Sequence, residues 1–582
     1  MVSALSERSV FSLDTETTGL SPFDSRMLLV QISTEDTNFV MNPSAVDIQR
    51  ILPFLRDPKW TKIIQNAVFE QRFFKHVYNT DIIGVFDTYL AELLINSSGH
   101  INNLAYLADK YANIKLDKDI RKSFFGAKPM AAFSEEQLEY AALDAQVLHP
   151  IYRAQKEKID ALGLGRVADI EFSLTNVVAD MENEGVPIDS KKWNQKLREA
   201  DADRLKSKER MNSLIFDGTG IPEQIGMFER DGIDLKSPKR VKEAFAQLGI
   251  DLESTNEREI ALVDHPAAKE LLNYRGLQKI RDSYGKTFLD MIHPFTGRIH
   301  ADFVQIGTET GRFSCRKPNL QQMPAQFREC VSLQDHKVVV ADFANIELRI
   351  LAELSKDKAF TQAFSTGGDP HKSTAAIMFN MPLENVNKDQ RFIAKTINFG
   401  IMYGMGVYKL RDMLNAKNRE SGTKELTINE VKAIYSKYKT AYSDAITWLR
   451  RTGEEAYTKS YSTTMLGRRR VLDRADTSKP EDEFDKQVAA IKRQGSNSPI
   501  QGTNADITKL AMLNLHHDLS KYNYRSKMII QVHDEIVVLA HKNEAESVKM
   551  VLEESMLSSA QEVLKNVPVL VDAYIDDVWR KG

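Results

Sequence analysis

Lys527-Met528-Ile529-Ile530-Gln531-Val532-His533-Asp534-Glu535-Ile536-Val537-Val538-Leu539-Ala540 holds two apolar runs of strand character, joined by little more than His-Asp-Glu. A tight hairpin ordinarily takes Gly or Asn at its turn. Here two adjacent carboxylates stand there, repelling each other and favouring neither turn nor core. A cation would remove that penalty, which makes the segment a candidate metal site. Taken alone, an Asp-Glu pair at a turn is more often simply solvated.

A second segment shifts the balance. Lys337-Val338-Val339-Val340-Ala341-Asp342 is an apolar strand ending in a carboxylate, and it runs into a helical pattern through Glu347 and Arg349. Two carboxylates at adjacent strand ends suit two Mg²⁺ ions about 3.5–4 Å apart, the arrangement used for in-line phosphoryl transfer. Between these segments Arg391, Lys395, Phe399 and Tyr403 recur every four residues. On a helix each step of four turns through roughly 400°, so the four side chains form one slowly winding stripe. Cations suit a triphosphate, and flat rings suit a sugar and base. An amphipathic helix with snorkelling Lys and Arg has the same look; the two acidic strand ends beside it decide for binding.

Taken together, the three pieces resemble motifs A (342–349), B (391–404) and C (533–535) of family A DNA polymerases, the DNA polymerase I type. Thr310-Gly311-Arg312-Phe313-Ser314 with Pro318-Asn319-Leu320-Gln321 resembles the stretch that precedes motif A. Arg493, Asn497 and Gln501 resemble the template- and minor-groove-contacting segment before motif C. The resemblance implies that Asp342 and Asp534 hold two Mg²⁺ ions, with Mn²⁺ an admissible substitute and Glu535 beside them. It implies that Arg391, Lys395 and His371 contact the phosphates of a dNTP, Lys395 also serving as general acid toward pyrophosphate. Glu347, acting with Tyr403, would block a 2′-hydroxyl, which favours DNA over RNA as product. Phe399 would favour a 3′-hydroxyl and disfavour chain terminators. Arg312, Arg493, Asn497, Gln501 and His533 would contact primer–template DNA. Pro499 lies inside that last segment and argues against an unbroken helix there. Motif A departs from the family pattern at Phe343, Ala344 and Asn345, none of them a metal ligand.

The N-terminal part carries a separate pattern. Val10-Phe11-Ser12-Leu13-Asp14-Thr15-Glu16 is an apolar strand whose two acids share one face. Downstream come Asn66 to Glu70 and Tyr140 to Asp144, the latter helical in pattern, with Tyr140 stacked over Asp144. In this order they resemble the three motifs of the DEDD exonucleases in their tyrosine variant. The resemblance implies Asp14, Glu16, Glu70 and Asp144 as ligands of two metal ions, Tyr140 orienting the attacking water, and a single-stranded 3′ end as substrate. Glu70 stands where the family usually has Asp. It reaches roughly 1.5 Å further, a displacement to which catalysis is sensitive. Asp87 reads as structural.

The fold expected is multidomain α/β and α+β: a ribonuclease H-like 3′–5′ exonuclease unit over 1–160, then a right-hand polymerase over 161–582. Within the hand the thumb is expected over about 186–296, palm over about 297–356 and 441–582, and fingers over about 357–440. The pattern resembles compact phage or organelle-type enzymes, without a 5′-nuclease region. The 582 residues are 42% hydrophobic and 27% charged, as in ordinary globular chains. A net charge of −3 means any basic nucleic-acid surface must be local. Two cysteines without metal-ligand spacing exclude a disulfide framework. With no signal peptide and no apolar run of membrane-spanning length, the chain reads as an intracellular, soluble monomer.

Overall fold

A computed structural model of the chain describes residues 1–97, 102–116, 120–126, 132–219 and 233–580. The first acidic strand, β1 (Val10–Thr17), lies in the middle of a five-stranded sheet with β2 (Met27–Ser33), β3 (Asn38–Met41), β4 (Thr61–Ile64) and β5 (Val85–Asp87). Their order is β3-β2-β1-β4-β5. β1 runs antiparallel to β2 and parallel to β4, so the sheet is mixed. Phe11, Leu13, Val30, Ile32, Ile64, Phe73 and Phe74 build its core. The Glu135–Gln146 helix packs across β1 and β2 and opens with a capping box between Ser134 and Gln137. Asp87 accepts backbone N–H bonds from Asn66, Ala67, Tyr89 and Leu90. It is a structural acid that ties the 66–67 turn to the start of the next helix.

The second acidic strand is β6 (His336–Phe343), central in a four-stranded antiparallel sheet with β7 (Lys527–Val532), β8 (Glu535–His541) and β9 (Val571–Asp576). The order is β7-β8-β6-β9. Val532 pairs with Glu535, so the hairpin turn is the dipeptide His533-Asp534, and Glu535 already belongs to β8. His533 adopts φ +58°. Gly is usual at this position of a hairpin turn, and a non-Gly residue there costs on the order of 1–2 kcal/mol. Register does the rest: Asp342 faces Glu535 on β8 and Asp572 on β9.

Two further helical bodies belong to this region. Residues 190–219 and 233–284 include two long helices, Ser190–Thr219 and Pro266–Tyr284, with a small core of Met211, Val241, Phe245 and Leu271. Residues 358–441 form a helical layer that includes Pro370–Phe379, Lys388–Met402, Val407–Ser421 and Ile428–Ala441.

One expectation is overturned. Glu481–Lys521 is a single helix of 41 residues with Pro499 inside it. Proline in a helix interior costs about 3 kcal/mol through the lost N–H and the clash with the preceding turn. Ser496 and Ser498 donate back to the carbonyls of Arg493 and Gln494 at 3.1 and 2.6 Å. From Gly495 onward the helix is mostly buried, and it packs on the Ser443–Lys459 and Ala545–Val563 helices. Tertiary burial outweighs the local preference here. The packing is close at Gly495, where a Cβ would lie 2.3 Å from Ala456 Cβ. Gly495→Val should therefore part the two helices and cost roughly 1–3 kcal/mol. Denaturant unfolding checks this through a lowered midpoint at unchanged slope; an unmoved midpoint contradicts it.

Candidate active sites

The end of β6 and the β7–β8 turn bring Asp342 and Asp534 into hydrogen-bond contact. Asp342 keeps a solvent-accessible edge, yet the surrounding protein desolvates it, and the Glu535 charge adds to the effect. Its carboxyl is pushed up to about 6. Asp534 is pushed up to about 7, first by burial and next by the charge of Asp342. Glu535 is anchored from behind: its Oε1 accepts from Trp579 Nε1 at 3.1 Å and from Arg328 Nη1 at 3.3 Å. Arg328 in turn lies over the Trp579 ring, 4.2 Å from its centroid. Sequence reasoning missed Asp572, which flanks Asp342 in register on β9. The signal was an acid set in the apolar C-terminal run Val567 to Ala573. Hard carboxylate oxygens, crowded enough to share a proton near neutral pH, are a donor set that fits Mg²⁺ or Mn²⁺.

The Lys388–Met402 helix, opened by a capping box between Asn387 and Gln390, reaches this pair at its C-terminal end, where Tyr403 bonds Glu347. Arg391 pairs through Nε with Asp369 Oδ2, and Lys395 is exposed one turn further on. Phe399 packs 5.7 Å from the His371 ring, centroid to centroid. Tyr403 caps the helix, and its hydroxyl donates to Glu347 Oε2. The other oxygen of Glu347 is paired with Arg312 Nη2. The Gln501 side chain bonds the same tyrosine hydroxyl. Gly404, at φ +70°, rests on the Arg493 stem, where a Cβ would come within 2.4 Å of Cδ. His533 lies in the field of Arg312 and Glu347 and titrates below its ordinary value, through desolvation first and the Arg312 charge next. Arg493, Asn497 and Gln501 follow at four-residue spacing along the long helix. The structure thus gathers Arg312, Glu347, Tyr403, Gln501, Arg493 and His533 beside the paired aspartates.

His371 is held inside the protein in this structure. Its ring is 2% exposed. Nδ1 accepts from Asn398 Nδ2, and Nε2 donates to Asn345 Oδ1, both at 3.0 Å. Burial pushes the ring down to about 4, and the charges of Arg391 and Lys395 add to that. Both ring nitrogens are thus engaged by side chains of the protein, and the imidazole is neutral at pH 7.

In the N-terminal sheet Asp14, Glu16 and Asp144 each place one oxygen within 4.8 Å of the others. Tyr140 hydrogen-bonds Asp144, and burial together with that carboxylate raises its phenol. Glu70 stands in the first turn of the Val68–Tyr78 helix, outside this three-oxygen cluster. Its Oε1 accepts from Thr15 Oγ1 at 3.4 Å, while the buried Oε2 has no hydrogen-bond partner among the described residues. Burial and then the Asp14 charge hold its carboxyl well above the ordinary range. Three carboxylates gathered within 4.8 Å, with a buried fourth beside Asp14, are again chemistry that a divalent cation would satisfy.

The sequence model of DNA polymerase family A matches residues 207–581, and that of a 3′-5′ exonuclease matches residues 1–160. The chain belongs to DNA polymerase family A and carries a 3′-5′ exonuclease domain ahead of the polymerase region. Among curated relatives it is similar to DNA polymerase I of Pseudomonas aeruginosa, 30% identical over 99% of this chain and 64% of that one. DNA polymerase I of Aquifex aeolicus is 29% identical over 98% of this chain and 95% of its own length. The thermostable DNA polymerase I of Thermus aquaticus is 33% identical over 77% of this chain and 52% of its own. The chain thus spans somewhat under two thirds of the first relative's length and nearly all of the second's. Among solved structures the POL domain of Pol1 from M. smegmatis, in complex with DNA primer-template and dNTP, shares the fold. Its TM-score is 0.82 at 23% identity, covering 99% of this chain and 97% of that one.

The raised aspartates give a signed pH dependence. The folded protein holds their protons more tightly than the unfolded chain does. Their contribution to stability is therefore complete below the unfolded value near 4 and is lost as pH rises through about 6 and 7. Asp342→Asn removes one of the repelling charges. In metal-free protein it should raise the Tm relative to the parent at pH 8 and not at pH 4. After discounting for solvent screening, the gain is about 0.5–1.5 kcal/mol. Divalent cation should raise the parent's Tm at pH 8 more than the variant's. Thermal melts in chelator and in Mg²⁺ check this; a parent–variant difference independent of pH contradicts it.

Proposed function

We propose that this chain is a template-directed DNA-dependent DNA polymerase that adds dNTPs to a primer 3′-hydroxyl, with an associated 3′–5′ proofreading exonuclease. The observation that carries the reading is the contact between Asp342 and Asp534 at the end of a buried sheet, joined through Glu347 to Tyr403 at the end of the helix that bears Arg391, Lys395 and Phe399. In the hand description, the four-stranded sheet is the palm, the helices of 358–441 the fingers and those of 190–284 the thumb. Asp342 and Asp534 would hold two divalent cations in the palm, and Asp14, Glu16 and Asp144 would hold them in the exonuclease unit. What such cations supply when bound is acidification of the attacking hydroxyl or water and neutralisation of phosphate charge.

The protein's own groups do the rest. Arg391 and Lys395 bring fixed positive charge to the triphosphate, where negative charge develops during transfer. Lys395 is solvent-exposed and able to hand a proton to the leaving pyrophosphate. Phe399 and Tyr403 offer flat faces to sugar and base. Glu347, pinned between Arg312 and Tyr403, forms a wall on the sugar side that a 2′-hydroxyl would meet. Arg493, Asn497, Gln501, Arg312 and His533 offer a polar, partly cationic edge to primer–template DNA. In the exonuclease unit Tyr140 holds a water through a hydroxyl already fixed on Asp144.

A second reading, a gap-filling repair polymerase with weak proofreading, is favoured by one observation: Glu70 lies outside the three-oxygen cluster. Two variants test both sites at once. Asp534→Ala should lower primer extension by at least about 10³-fold while leaving 3′–5′ degradation intact. Asp14→Ala should do the reverse. Loss of both activities in either variant, or of neither, contradicts the two-site reading.

A further inference from the structure

The polymerase reading leaves open what keeps the Glu347 wall in place. A glutamate side chain has three rotatable bonds, and a wall that swings excludes nothing. Glu347 is 8% exposed, and each of its two oxygens is taken by a donor from a different element. Tyr403 comes from the end of the fingers helix, and Arg312 comes from the 308–312 turn. The two donors differ in how firmly they are themselves held. Tyr403 is 37% exposed and ends a helix. The turn carrying Arg312 is anchored on the core. Arg312 N donates to Thr308 Oγ1 at 3.1 Å, and Gly311 N to Thr308 O at 2.9 Å. The Gly311 carbonyl accepts from Lys509 Nζ at 2.7 Å. Lys509 and Arg468 both bond the fully buried Glu171, and Arg468 Nε also donates to Asp506 Oδ1 at 2.7 Å. Gly311 sits at φ +83° with no room for a Cβ against the Arg468 side chain, 2.6 Å away. The Arg312 backbone is thus fixed by a buried cluster of two cations and two carboxylates.

We propose that Arg312 is a positioning residue for sugar selection: its guanidinium fixes the Glu347 carboxylate against Tyr403 and thereby sets how strictly the site excludes ribonucleotides. This rests on the polymerase reading above and goes beyond it, since it gives Arg312 an effect separate from any contact with primer.

The test is the ratio of kcat/KM for a dNTP to that for the matching rNTP, measured at saturating primer–template. At saturation a loss of primer affinity lowers both terms and cancels. Arg312→Gln should lower the ratio by about tenfold or more, with Arg312→Lys in between because it keeps the charge but not the fork. Glu347→Gln should lower it as well. The double variant should fall no further than the worse single one, because the two substitutions break one link. Thermal melts and fluorescence anisotropy on labelled primer–template confirm that each variant is folded and DNA-bound. An unchanged ratio in Arg312→Gln, or effects of the two substitutions that multiply independently, overturns the inference. The parent enzyme is run alongside, so a parent that fails to extend with dNTPs is told apart: that outcome overturns the polymerase reading itself.

Discussion

Like charge held at close range is the constraint from which the rest of the molecule follows. Two carboxylates about 4 Å apart at an effective dielectric of 20 repel by about 4 kcal/mol. Asp342 and Asp534 are nonetheless brought into contact, because each sits at the end of an apolar strand run that is buried for its own reasons. Val338 to Ala341 and Ile536 to Ala540 are buried, and their strands pack on the Ala545–Val563 helix. Their burial fixes the register, and the register delivers the acids. The hairpin even tolerates a left-handed histidine to do so. Arg312 and Arg328 ease the repulsion without removing it, and the remainder appears as protons held to near neutral pH. A site strained in this way is poised to take up cations, and its stability is partly given over to that task.

A second electrostatic device works in the opposite sense. Glu171, Arg468, Asp506 and Lys509 are two cations and two anions in mutual contact, buried and balanced. They join the Gly165–Glu184 helix, the turn before Arg312 and the long helix carrying Arg493, Asn497 and Gln501. Removing one member would leave an uncompensated buried charge, the costly case. One cluster is strained and open to ligand while the other is satisfied and closed. Their adjacency lets a rigid interior hold a reactive edge.

The sequence made some of this legible and hid the rest. The β7–β8 hairpin can be read from two strand-like runs around a carboxylate turn, and the stripe on the Lys388–Met402 helix from four-residue spacing, because both are local periodicities. The pairing of Asp14 with Glu16 on one face follows from the period of a strand, and the approach of Tyr140 to Asp144 from that of a helix. Pro499 misled, since its cost is local and known while the burial that outweighs it comes from helices packed along its length. The partners of the His371 ring, Asn345 and Asn398, lie 26 and 27 residues away, beyond the reach of a local pattern. The Glu171 cluster spans 338 residues, and no spacing rule reaches that far. Asp572 flanks Asp342 only through strand register, which a linear pattern does not carry.

The most direct measurement is a denaturing gel of a 5′-labelled primer–template incubated with the protein and Mg²⁺, with and without dNTPs. Extension is expected when dNTPs are present, and stepwise shortening from the 3′ end when they are absent. Extension without shortening would keep the palm site and identify the displaced Glu70 as the weak point of the exonuclease. No extension from a correctly paired primer would contradict the central claim that the Asp342–Asp534 contact is a nucleotidyl-transfer site.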